Sequence, residues 1–136
     1  MKIHNRTQRA LYVVILVGGI FELAMGAVIF LAGDIVISIS GGYPIPVFPL
    51  YWRTMGLLAI ALGSLQIHAS RDIARYVAIP IAASCVRLVL PIITYLQMLD
   101  SPTMGGALVI STAFDFFLAV VTLFLLYRIG LLSSGK

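Results

Sequence analysis

Four long apolar runs, set apart by clusters of charge, proline and glycine, dominate this chain: residues 10–32, 53–68, 76–98 and 105–127. Each run is continuous rather than alternating, which argues for helices and against a transmembrane barrel, whose strands alternate between lipid and lumen. A hydrocarbon core about 30 Å thick asks for about 20 apolar residues per helix, so the runs predict four membrane-spanning helices. The second run is the shortest, and its outer end can begin within FPLYW, since Tyr51 and Trp52 are residue types that settle at headgroup level. The expected fold is all-α, an integral-membrane, antiparallel four-transmembrane-helix bundle forming one domain over residues 1–136.

The segments HASRDIAR and LDSPTMGG are short enough to join antiparallel neighbours. The first connection, residues 33–52, is longer: Gly41-Gly42 marks a break, and Pro44, Pro46 and Pro49 speak against regular structure. Within it, the alternation over Ile35–Ile39 reads either as a short interfacial strand or as an extension of the first span. The whole connection reads as an interfacial anchor or, alternatively, as a lid over a cavity.

Composition sharpens the solvent assignment. The chain is 61% hydrophobic and 10% charged, against roughly 45–50% apolar and 25% charged for a soluble domain. Its basic residues fall on one side of the expected spans: Lys2, Arg6 and Arg9 before the first, Arg71 and Arg75 between the second and third, Arg128 and Lys136 after the fourth. Only Arg53 lies on the other side, so the positive-inside rule places both termini in the cytoplasm. The net charge of +4 then reflects topology and anionic lipid rather than nucleic acid. The leading MKIHNRTQRA has the basic character of a signal peptide, but the apolar run after it is too long, and it is expected to remain as the first span. Cys85 is the single cysteine, which excludes an internal disulfide and suggests a small packing residue.

Three ionisable residues interrupt the runs. Counted from the cytoplasmic end at 1.5 Å per residue, Glu22, Arg87 and Asp115 lie at about 18, 17 and 18 Å along their respective spans. Each alone would cost at least about 2.5–3.5 kcal/mol to insert, so three at one depth read as one paired cluster. The arginine fork offers five donors and can serve both acids. Two acids to one base leaves the cluster unbalanced, and Arg53 is a candidate to help from the outer mouth. Ser84 and Ser111 fall on the same stripes as Arg87 and Asp115, and Pro80 and Pro91 are expected to kink the third span and free backbone carbonyls. Gly18, Glu22 and Gly26 share one helix face, and Gly56 and Gly63 another, so close helix contact is expected there. The cluster reads either as a binding site or as a structural ion pair that fixes helix packing.

The segment WRTMGLLAIALGSLQIHASRDIARYVAIPIAASCVRLVLPIITYL, followed by FDFFLAVVTLFLLYR, resembles the small four-helix bacterial membrane proteins of the DoxX-like and related uncharacterised families. The resemblance rests on Arg53, Gly56, Gly63, the Arg71-Asp72 turn, Arg87 and Asp115. It implies a multi-pass protein of the bacterial inner membrane and, by way of some relatives, quinone as a cofactor. The sequence contains no metal-ligand spacing, phosphate loop or nucleophile constellation, so an enzyme is not the leading expectation. The functions that fit are an accessory subunit of a larger membrane complex or homo-oligomer, and a binder of a small amphipathic ligand such as a quinone or lipid. A proton-coupled small-molecule transporter is the alternative.

Overall fold

The computed structural model describes residues 6–39, 49–100 and 106–132, and these are all helix or turn. Four helices stand where the apolar runs predict them: α1 (Arg6–Ile39), α2 (Pro49–Ser70), α3 (Ala78–Asp100) and α4 (Gly106–Arg128). Gly41, Gly42, Pro44, Pro46 and most of LDSPTMGG lie outside the described residues, as do the side chains of Tyr51, Trp52 and Thr94.

The element boundaries carry several corrections. Ile35–Ile39 is helical, so the strand alternative is excluded; α1 runs through this stretch after a local break at Ala32 (φ −140°, ψ 33°). Pro49 does not prevent structure but opens α2, a position where the missing N–H has no intrahelical partner to lose. Pro80 likewise lies in the first turn of α3 and does not bend it, and the carbonyl of Tyr76 accepts the N–H of Ile79 at 3.0 Å. Pro91 alone is interior, and α3 continues through it to Asp100.

Helix α4 ends in a Schellman arrangement. Gly130 adopts φ 80°, its N–H reaches the Tyr127 carbonyl at 2.9 Å, and the Leu131 N–H reaches the Leu126 carbonyl at 3.1 Å. Leu131 then folds back onto a buried cluster of Leu11, Ile15, Ile73 and Leu126. This cluster joins the start of α1, the turn between α2 and α3, and the end of α4, which fixes these segments at one end of the bundle.

Helix α1 packs most extensively on α2, and α3 on α4; α1 touches α4 over a smaller area, and α2 barely meets α3. Glycines set the α1–α2 contact. A Cβ built on Gly56 would lie 2.5 Å from the Phe30 nitrogen and 2.7 Å from the Gly26 carbonyl oxygen, and one on Gly63 would lie 2.6 Å from the Gly19 oxygen. The pairs Gly19–Gly63 and Gly26–Gly56 run in opposite directions along the two helices, so the helices are antiparallel and nearly in backbone contact.

Large apolar side chains also cover the outside of the bundle, and several polar ones are buried beside its apolar core. Leu31 is 81% exposed, Ile110 73% and Tyr127 69%, while Gln66, Ser84, Arg87 and Thr122 are buried. Two of the helical stretches, Arg6–Gly33 and Val109–Arg128, are long and apolar enough to cross a membrane. Cys85 is exposed on α3 rather than packed inside, contrary to expectation.

Candidate functional site

Each helix places one polar side chain in a connected chain of groups. Glu22 of α1 is the centre: its Oε2 accepts from Arg87 Nη2 of α3 at 2.8 Å and from the Gln66 amide of α2. Arg87 Nη2 also donates to the Gly18 carbonyl at 3.1 Å. The absence of a side chain at Gly18 makes room for the fork, since a Cβ there would lie 3.0 Å from Nη1. Asp115 of α4 brings Oδ1 to 3.5 Å from Arg87 Nε, an ion pair that is too long and poorly aligned to be a hydrogen bond. Beside it, Phe21 and Phe114 meet edge to face with centroids 4.9 Å apart, which sets α1 and α4 at the same level.

The expected pairing of Glu22, Arg87 and Asp115 is therefore present in the geometry. Arg87 is buried, and the two carboxylates remain partly accessible. Ser84 is buried one turn before Arg87, and Ser111 is half-buried one turn before Asp115. Arg53 does not join them. It is exposed, close to Gly56, whose partner on α1 is Phe30, and Phe30 is about 12 Å along α1 from Glu22. Thr122, two turns after Asp115, turns its hydroxyl to the Leu118 carbonyl of its own helix at 2.7 Å.

Gln66 is the participant that sequence reading missed. Its signal was present: a lone amide in an apolar stretch, three residues after Gly63 and so on the same helix face. Gln66→Leu is expected to cost about 1–3 kcal/mol, the range for leaving a buried polar partner unmet. Thermal unfolding in detergent micelles would check this, and an unchanged midpoint would show that the amide bond contributes nothing.

A second polar group lies at the end of the bundle marked by Leu11 and Leu126. There Asp72 Oδ1 accepts the Arg75 N–H at 3.4 Å, the His68 and Tyr76 rings lie 5.0 Å apart, and the Arg75 guanidinium sits 5.3 Å from the Tyr76 ring centre. Asp72 thus serves the turn, and the exposed Arg71 and Arg75 face outward.

Chemically, the Glu22–Arg87–Gln66 group can hold three helices in one register, and the Arg87–Asp115 ion pair ties in the fourth. Comparison with known proteins adds no relative: no family model, no curated protein and no solved structure matches this chain.

Proposed function

We propose that this chain is a small, non-enzymatic, multi-pass membrane protein that holds the polar end of a small amphipathic molecule at the Arg87 cluster and serves as an accessory module of its membrane. The supporting observation is the run of large aliphatic and aromatic side chains on the outside of the bundle, with a buried arginine and amide at its centre. Water would not favour that arrangement, whereas lipid removes its cost. Helices α2 and α3 are of 22 and 23 residues, about 33 Å each, long enough to cross beside α1 and α4.

Arg6, Arg9, Arg71, Arg75 and Arg128 belong to segments that meet at one end, which supports the reading that both termini face the cytoplasm. The resemblance to DoxX-like proteins points to a bacterial inner membrane. An intramembrane ionisable group is a functional candidate by default, and here one of its donors is left over after the helices have been joined.

Two measurements test the reading. Alkaline carbonate washing is expected to leave the chain in the membrane fraction; release into the wash would sink the membrane assignment. Native mass spectrometry after gentle extraction from its own membrane is expected to show a small-molecule adduct that Asp115→Leu weakens. Wild-type protein carrying only protein partners would favour a purely structural subunit.

A further inference from the structure

Helix α4 leaves its last basic residue without a structural task. An arginine at a helix C-terminus can cap the final carbonyls, but here the N–H groups of Ile129, Gly130 and Leu131 take those of Leu125, Tyr127 and Leu126 at 3.1, 2.9 and 3.1 Å. Among the described residues, the exposed Arg128 guanidinium makes no ion pair and no hydrogen bond; its one contact is the Phe124 ring, 5.8 Å from the centroid. A ring occupies one face of the fork, and the donors along its edge stay open in the planar geometry that matches a phosphate. The surroundings are basic. Arg6, Arg9, Arg71 and Arg75 belong to the same end of the bundle and are likewise exposed and without ion pairs to described residues. Asp72, the acid described there, accepts the Arg75 backbone N–H.

An apolar track leads up to this guanidinium. Phe117, Val120, Phe124 and Tyr127 follow one another at three- and four-residue intervals and are all exposed, so they form a single stripe on the outside of α4. From Phe117 to Arg128 the stripe measures about 17 Å, the depth of one leaflet in a hydrocarbon core about 30 Å thick. We infer that Arg128 and this stripe seat one anionic phospholipid of the leaflet at that end. Its phosphodiester takes the edge of the guanidinium, one acyl chain runs along the stripe, and the Tyr127 phenol sits at headgroup level. The inference rests on the reading above that the chain lies in a bilayer, and it is independent of what the Arg87 cluster holds. A zwitterionic lipid carries the same phosphate, but its ammonium meets an end already rich in arginine. A free phosphate compound meets the guanidinium and leaves the stripe uncovered.

The test is native mass spectrometry of the full chain in detergent micelles, with dioleoylphosphatidylglycerol and dioleoylphosphatidylcholine supplied in equal amounts, so that only the head differs. The first adduct is expected to favour phosphatidylglycerol by at least about fivefold, the factor for one basic residue near an anionic lipid surface. Arg128→Gln is expected to lower phosphatidylglycerol retention about fivefold on the same ground. Arg6→Gln removes the same charge from α1 and is expected to change it little. Phe124→Leu keeps the stripe apolar but takes the ring from under the guanidinium, and a loss of about twofold is expected. Both α4 side chains are exposed, so the variants are expected to fold; if Arg128→Gln does not accumulate, Phe124→Leu set against Arg6→Gln decides. Equal retention of the two lipids overturns the inference. So does an Arg6→Gln loss as large as that of Arg128→Gln, which would mean a diffuse basic field rather than a seat. Displacement of the lipid by an excess of sn-glycerol 3-phosphate, which has the phosphate and no chain, would mean an anion site that ignores the stripe, and it overturns the inference as well. Each of these results leaves the membrane assignment standing, whereas release of the chain in the carbonate wash removes the basis of both.

Discussion

Arg87→Leu is expected to destabilise the bundle by about 3–5 kcal/mol, the cost of removing one partner from a buried charge pair. The guanidinium is the only cation described in the cluster, and it supplies hydrogen bonds to both Glu22 and the Gly18 carbonyl. Without it Glu22 keeps only the Gln66 amide, and Asp115 loses its one ion pair. The informative comparison is with the triple variant Glu22→Leu, Arg87→Leu, Asp115→Leu. Replacing a whole buried ionic group by apolar residues is often neutral or stabilising, so the triple variant is expected to recover most of the loss. Thermal unfolding in micelles, with the yield recovered from membranes, reads both. A single variant as stable as wild type would show that the ion pairs contribute no stability. A triple variant that folds and still carries the native adduct would separate the cluster from binding altogether.

Gly56→Ala carries the second large effect. Its new methyl group would meet the Phe30 nitrogen at 2.5 Å and the Gly26 oxygen at 2.7 Å, and both obstacles are backbone. No rotamer change relieves such a contact, so α1 and α2 must move apart, with a loss of about 1–3 kcal/mol as for other overpacked sites. Gly18→Ala is the control. Its nearest obstacle is the end of the Arg87 side chain at 3.0 Å, a group that can shift. The expected order of unfolding midpoints in micelles is wild type, then Gly18→Ala, then Gly56→Ala. The reverse order would mean that the fork of Arg87 is held more rigidly than the helix backbones.

Four helices and the meeting of Glu22, Arg87 and Asp115 were legible in the sequence because both follow from counting. Run length gives the helices, and equal rise from a common end gives the depth of a side chain. What lay beyond counting was rotation about each helix axis. Gly26, Gly56 and Gly63 were read as contact positions, but Gly19, seven residues before Gly26, was not, although it completes the pattern against Gly63. Gln66 was overlooked because an amide raises no charge signal, yet the face it shares with Gly63 turns it inward. Cys85 was assigned to the interior by residue type, while the rotation that buries Ser84 and Arg87 leaves Cys85 outside. Arg53 was drawn toward the cluster by charge arithmetic alone. The turn of α2 that carries it lies level with Phe30, away from the acids it was meant to balance.

The paired glycines of α1 and α2 also constrain how this molecule can move. Gly19 and Gly26 face Gly63 and Gly56 at the same seven-residue interval. A slide of one helix turn, about 5.4 Å, would bring the bulk of Ile60 or Ile67 to where only a hydrogen atom fits. Piston motion between these two helices is blocked, and they travel as a single stiff lever. Displacement then falls to the sparser seams between this lever and the α3–α4 pair, where the guanidinium of Arg87 acts as the pivot pin. A swing about that pin strains first the contacts that Arg87 of α3 makes with Glu22 and Gly18 of α1, so the polar centre of the bundle is also its mechanical joint.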